Sequence, residues 1–225
     1  PTIVKKRFLD SIGNKKVLGV YSINDEILGK VDEDKFANYL KKNLKKFDLV
    51  IISDYGHGFI SNSNAKIICQ KSKSLALNAQ VNAANVGYHS MRKYNNIDCV
   101  IINETEIRHE LRNKNDKVET LMKELSNSRK ITNLIVTKGK DGSILYNRIT
   151  KKFSYSEAFA SNQVDKIGAG DAMLGLSALC LKAKLDNNLS LLLGSLAAAQ
   201  SVETIGNKHT VNKNQILKHL DNIIK

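Results

Sequence analysis

The chain has 225 residues, enough to bury a large core without disulfides, and its 42% apolar and 25% charged composition excludes collagen-like, mucin-like and wholly disordered classes. Its 35 Lys and Arg against 22 Asp and Glu leave a formal charge of +13. The excess is mostly Lys scattered with Asn along the chain (Lys41, Lys42, Lys45, Lys46, Lys71, Lys73, Lys151, Lys152), with no Arg-rich, aromatic-interleaved stripe, so a proteome-wide Lys/Asn bias or an affinity for anionic small molecules explains the charge more simply than nucleic-acid binding, which is not expected.

In chain order, Lys15–Ser22 has strand character, and Asp32–Phe47 places Phe36, Leu40, Leu44 and Phe47 on one helical face. Asp48–Ser53 is a continuous β-rich run, the pattern of a strand buried on both faces. A helix over Asn62–Ser74 leads to the short strand Leu75–Leu77, and a helix around Val86–Tyr94 leads to the strand Asp98–Ile102. Helices over Glu104–Asn113 and Val118–Ser128 precede the strand Asn133–Thr137. Gly142–Tyr146 and Lys152–Tyr155 read as an antiparallel pair, followed by helices over Gly168–Leu181, Leu189–Val202 and Asn212–Ile224. Buried strands alternating with amphipathic helices predict a single α/β domain around a mostly parallel sheet, with ligands at the carboxyl ends of the strands.

Leu189–Ala199, the longest apolar stretch, is interrupted by Gly194 and Ser195 and is too short to cross a bilayer, while Pro1–Asp10 carries charges where a signal peptide would be apolar. A cytoplasmic protein with no membrane association is expected. Cys69, Cys99 and Cys180 are far apart in apolar surroundings and read as buried reduced thiols.

Three segments carry chemistry. In Asp165–Asp171 (DKIGAGD), two glycines separated by one small residue open an apolar helix, which leaves backbone N–H groups able to meet an anion, and Asp171 could accept a proton from an attacking hydroxyl. A tight turn with Asp171 complementing the helix dipole explains the same letters. In Val136–Gly142 (VTKGKDG), Thr137, Lys138, Gly139 and Gly142 suit a phosphate chain, or equally a strand–turn–strand. In Asn103–Glu106 (NETE), the amide and carboxylate suit Mg²⁺, or equally a helix cap.

These segments, in this order, resemble the D-T-x-G-A-G-D signature, the T-x-G-x-x-G nucleotide segment and the N-x-x-E magnesium motif of the ribokinase-like (PfkB) carbohydrate kinases. Ser53–Gly58 (SDYGHG) is similar to the S-D-Y-x-K-G stretch of heptose-type kinases, and Pro1–Arg7 is similar to the strand by which such kinases leave their lid. Leu77–Gly87 resembles a branch of sugar kinases fused to a cytidylyltransferase-like domain, and Lys166 stands where Thr is usual.

The resemblance implies a three-layer ribokinase-like fold, amino-terminally truncated, with residues 1–225 forming the carboxy-terminal two thirds of one kinase domain and residues 1–25 a remnant of lid and connecting strand. It implies ATP-dependent phosphorylation of a sugar hydroxyl. Asp171 would be the base, with Gly168, Ala169 and Gly170 as the anion hole. Asn103 and Glu106 would organise Mg²⁺. Thr137, Lys138, Gly139, Gly142 and Lys166 would line the triphosphate, and Ala199 to Asn207, including Gly206, would lie near the adenine. Asp54 and Asp165 are the substrate candidates, and a monovalent cation is a further candidate cofactor. The parent protein is expected to carry a fused nucleotidyltransferase-like domain and to form a homodimer, and this chain alone is expected to fold without phosphorylating a sugar. A catalytically silent nucleotide- or sugar-binding module of a larger biosynthetic protein is the alternative.

Overall fold

The computed structural model describes residues 3–13, 16–23, 26–80, 90–160, 167–203 and 210–224. Strands β1 (Val4–Leu9) and β2 (Lys16–Ser22) pair as a separate antiparallel ribbon. Helix α1 (Lys30–Asn43), strand β3 (Val50–Asp54), helix α2 (Asn62–Lys71) and strand β4 (Leu75–Ala79) follow, and then strand β5 (Ile97–Asn103) with helices α3 (Glu104–Leu111) and α4 (Val118–Arg129). Strands β6 (Ile131–Thr137), β7 (Ser143–Asn147) and β8 (Lys152–Ser156) complete a six-stranded sheet, and helices α5 (Ala169–Lys182), α6 (Asn187–Val202) and α7 (Lys213–Ile224) close the chain. The sheet runs in sequence order from β3 to β8, with β3 to β6 parallel and β7 and β8 antiparallel.

Strand periodicity divides the core into two layers. Leu75, Leu77, Val100, Ile102, Leu134, Val136, Ile144 and Tyr146 pack with Ala65, Ile68, Ile107, Leu121 and Leu125 of the α1–α4 layer. The alternate residues Ala76, Cys99, Ile101, Ile135 and Leu145 pack with Met173, Leu174, Ala178 and Leu191 of α5 and α6. β5 and β6 are covered on both faces and show no polar alternation, whereas β3 at the sheet edge buries Ile52 and leaves Ile51 and Ser53 exposed, so the burial on both faces expected of Asp48–Ser53 does not hold there.

Local chemistry sets the boundaries. Ser61 caps α2, its hydroxyl accepting from Asn64 N–H, and Asp186 caps α6 by accepting from Asn188 and Leu189 N–H. The helix expected over Asp32–Phe47 ends at Asn43 and tightens into a 3₁₀ turn over Leu44–Lys46. The helix expected over Asn62–Ser74 stops at Lys71, where Ser72 turns extended. Of the helix expected around Val86–Tyr94, residues 86–89 lie outside the described residues, and the described part forms a 3₁₀ turn over Met91–Lys93. Cys99 and Cys180 are buried free thiols, and Cys69 is free and half-buried. No helix among the described residues is long and apolar enough to cross a membrane.

Candidate active site

A cleft of about 1380 Å³ opens at the carboxyl ends of the parallel strands. Its floor is the start of α5. Gly168 takes φ +88, a left-handed value that glycine adopts without strain, and its carbonyl accepts the first helical bond, from Ala172 N–H at 2.9 Å. The N–H groups of Ala169, Gly170 and Asp171 precede that bond in the helix, so the positive end of α5 faces the cleft. Gly170 is helical, and a Cβ there would stand 3.3 Å from Asn78 Nδ2, so Gly168 is the position that requires glycine's backbone.

Asp171 lies in the first turn of α5. Its Oδ1 accepts from the Ser53 hydroxyl at 2.8 Å and its Oδ2 from the Tyr55 hydroxyl at 2.9 Å. Burial pushes the Tyr55 phenol above its ordinary value, and the neighbouring Asp171 carboxylate pushes it the same way.

Asp54, a substrate candidate by sequence, sits among the cleft-lining residues but is only 5% exposed, with both oxygens engaged. Oδ1 accepts from Gly56 N–H at 3.0 Å, and Oδ2 accepts from Tyr94 Oη at 2.7 Å and Lys93 Nζ at 2.7 Å. Burial alone would raise the Asp54 carboxyl, but the Lys93 ammonium and the Tyr94 and Gly56 donors outweigh it and hold the group below the usual aspartate value.

The Asn103–Glu106 pair forms a capping box at the start of α3. Asn103 Oδ1 accepts from Glu106 N–H at 2.8 Å, and Glu106 Oε2 accepts from Asn103 N–H at 2.7 Å. Both residues also line the cleft. Hard oxygens at a cleft edge fit a hydrated magnesium ion carried on nucleotide phosphates, since that metal binds through one or two carboxylates and keeps several waters. No group of three or more His, Cys, Asp or Glu side chains able to enclose a metal occurs among the described residues.

Val136–Gly142 folds as a tight turn between antiparallel β6 and β7. Gly139–Asp141 forms a 3₁₀ turn, and Lys138 N–H donates to the Gly142 carbonyl at 2.8 Å. Thr137, Gly139 and Gly142 line the cleft, whereas Lys138 is not among its lining residues. The α6 wall consists of the small residues Ser195, Ala198, Ala199 and Val202, and Ser195 Oγ lies 3.1 Å from Ser143 Oγ of β7. Asp165, Lys166, Gly206 and Asn207 lie outside the described residues.

The family resemblance makes residues 1–25 a remnant of lid and connecting strand but singles out no cleft residue among them. Lys5, Arg7 and Tyr21 of the β1–β2 ribbon line the cleft. Lys5 Nζ is 3.3 Å from His57 Nε2 and 5.6 Å from the centre of the Tyr55 ring. Alternation along β1 places Lys5 and Arg7 on one side of that strand, a signal visible in the letters but without meaning until the ribbon's position is known.

Residues 22–214 match the sequence profile described as pfkB family carbohydrate kinase. The chain belongs to this family. Among curated relatives, the bifunctional protein HldE of Campylobacter fetus is 28% identical over 187 residues, covering 82% of this chain and 38% of the relative. HldE of Koribacter versatilis is 27% identical over 210 residues, covering 92% and 42%. The chain therefore spans about two fifths of the length of these curated relatives. Among solved structures, a ribokinase from Thermotoga maritima aligns with a TM-score of 0.74 at 18% identity, covering 98% of this chain and 70% of that one. An Arabidopsis thaliana ribokinase complexed with ribose and ATP aligns with a TM-score of 0.66 at 18% identity, covering 90% and 65%. These likenesses show a ribokinase-like fold.

Proposed function

We propose that this pfkB-family chain is the phosphoryl-transfer portion of an ATP-dependent carbohydrate kinase. Asp171 accepts the proton of the attacking sugar hydroxyl, and the N–H groups at Gly168, Ala169 and Gly170 neutralise charge on the transferred phosphoryl group. The observation that carries this reading is the position of Asp171, in the first turn of α5 beside those N–H groups and inside the cleft. In the first turn the carboxylate complements the helix dipole, and inside the cleft it is also open to a ligand. Beside a cradle for phosphate it stands where an attacking hydroxyl must lose its proton.

Thr137, Gly139 and Gly142 contribute the wall along which the phosphate chain would lie, and Ala198, Ala199 and Val202 offer a flat apolar surface for the adenine. Asn103 and Glu106 are the residues to hold magnesium, which when bound with the nucleotide neutralises its phosphate charge. The curated relatives are called bifunctional and the chain covers about two fifths of them, which supports a further domain in the parent protein; a nucleotidyltransferase-like one is what the family resemblance implies.

The test is Asp171→Asn in the intact parent protein, with ADP release measured against a panel of sugars. The amide keeps the shape and cannot take the proton, so turnover should fall about 10²–10⁴-fold while ATP affinity is nearly unchanged. Turnover near the parent's value would sink the assignment of Asp171 as base.

A further inference from the structure

Strand β3 ends on residues that point alternately to opposite faces of the sheet. Ile52 belongs to the layer packed by α1–α4, and Asp54 faces the same way, toward Lys93 and Tyr94. Ser53 and Tyr55 face α5, where both hydroxyls donate to Asp171. One short segment thus touches the base on one side and a buried ion pair on the other.

Lys93 does more than neutralise Asp54. Its ammonium also donates to the Ile60 carbonyl at 2.6 Å, so a single side chain joins the first and last residues of the arc Asp54–Ile60. Gly56 at φ +70 and Gly58 at φ +82 let the arc double back, and Asp54 Oδ1 fastens its interior through Gly56 N–H. Lys93 is itself fixed. Its side chain is 15% exposed, and the 3₁₀ turn that carries it is held by Met91 N–H donating to Glu110 Oε2 at 3.1 Å. Glu110 belongs to α3, the helix whose start presents Glu106 to the cleft.

We infer that Lys93 is a positioning residue for phosphoryl transfer: by clamping Asp54 to the Ile60 carbonyl it holds the arc closed and keeps the Tyr55 hydroxyl against Asp171. The inference rests on Asp171 acting as the base. The acceptor sugar then meets a carboxylate whose direction is set from β3, and Asp54, a sugar-contact candidate by sequence, serves the clamp instead. The arc that the ion pair closes, Asp54–Ile60, contains Tyr55, so what fastens the arc also bears on the hydroxyl that meets Asp171. Buried ion pairs are in any case weak sources of stability, because desolvation opposes the attraction.

Three measurements on the parent protein test the clamp. Lys93→Met strands the buried Asp54 carboxylate, so the paired variant Lys93→Met with Asp54→Asn, which leaves no unpaired charge, carries the decision if the single variant does not fold. Hydrogen exchange reads the amides of 56–60, NMR reads the Tyr55 ring signals identified through Tyr55→Phe, and steady-state kinetics reads kcat and KM.

In the paired variant the arc amides should exchange at least about tenfold faster and the Tyr55 signals should move to solvent-exposed positions. The kcat should fall about 10–100-fold with KM for ATP unchanged, since a displacement near 1 Å at a reacting group costs up to that much. Tyr55→Phe should give a similar fall in kcat, and combining it with the paired variant should add little, because the residues act as a unit. Protected amides and unmoved Tyr55 signals would overturn the clamp. An opened arc with unaltered kcat would overturn its positioning role. If the parent protein shows no sugar-dependent turnover, the kinase reading fails, while exchange and the Tyr55 signals still decide whether Lys93 holds Tyr55 on Asp171.

Discussion

Replacing Gly142 by Ala tests how the turn beside the cleft is built. Gly142 takes φ +80 and ψ −141, a backbone region that costs residues other than glycine about 1–3 kcal/mol. A Cβ there would fall far inside contact distance of the Ser156 carbonyl oxygen and only 3.0 Å from Glu157 Cα. The obstruction is backbone, so no rotamer change relieves it. Relief means prying β8 from β7 at the Ser143–Ser156 pair, and overpacking of this kind costs about 1–3 kcal/mol. Together the loss is about 4 kcal/mol, equivalent to a fall in Tm of about 12 °C for a chain of this size. Gly139→Ala is the internal control. Gly139 has φ +63 but nothing within 4 Å of a Cβ, so it should lose only the left-handed penalty of about 1–2 kcal/mol, or about 4 °C. Thermal unfolding followed by circular dichroism, with urea titrations to check that m is unchanged, separates the two variants. A Gly142→Ala protein melting within about 2 °C of the parent, or a Gly139→Ala protein that loses as much as Gly142→Ala, would refute the steric argument.

Other outcomes follow from the same geometry. Gly168→Ala, at φ +88, should cost about 1–2 kcal/mol of stability and weaken thermal stabilisation by ATP with magnesium, whereas at helical Gly170 the gain in helix propensity from Ala opposes the close approach of its Cβ to Asn78 Nδ2 at 3.3 Å, so Gly170→Ala should lower the melting temperature less than Gly168→Ala. Asp54 has a depressed folded pKa, so its contribution is complete above the ordinary aspartate value of about 3.9 and is lost as pH falls through the lower folded value; Asp54→Asn should flatten that acid limb of a stability–pH curve, and an unchanged limb would remove Asp54 from the account. Gly194→Ala should destabilise by about 1–3 kcal/mol, because its Cβ would run into Ser177 Oγ with Met173 Cγ 3.2 Å away, and Ser177→Ala should recover part of the loss in chemical denaturation.

The fold was legible where both faces of the sheet are buried. The runs Asp98–Ile102 and Asn133–Thr137 are short, β-branched and apolar at nearly every step, which fits a strand between two helical layers, and the structure extends each by one or two residues. Helix ends were less legible. Asn43 and Ser72 end their helices where Lys- and Ser-rich sequence offers no glycine or proline punctuation, and the αL caps fall on Arg112 and Lys130, residues that carry no such signal in the letters. The turn at Val136–Gly142 and the cap at Asn103–Glu106 each admitted a structural and a ligand-binding reading. The structure satisfies the structural one at both places while leaving the same residues on the cleft wall, so the alternatives were not exclusive.

The partners of Asp171 could not have been read from the chain, because the contact between Tyr55 and Asp171 spans 116 residues and depends on which face of β3 each hydroxyl occupies. That face is set by parity within the strand: Ile52 must be buried against the α1–α4 layer, so Ser53 and Tyr55 must point toward α5 and Asp54 must point away from it. Asp54 consequently enters an apolar layer, where an ionised carboxylate survives only with a cation and hydrogen-bond donors beside it, and Lys93, Tyr94 and Gly56 supply them. The burial of Ile52 therefore has a consequence at the opposite face. Moving the register of β3 by a single residue would put Asp54 against Asp171 and Tyr55 into the core, leaving two carboxylates facing each other and Lys93 without its carboxylate partner. The hydrophobic pattern of β3 and the contacts at its end are one constraint, because the parity that buries Ile52 also sends the Ser53 and Tyr55 hydroxyls to Asp171 and the Asp54 carboxylate to Lys93.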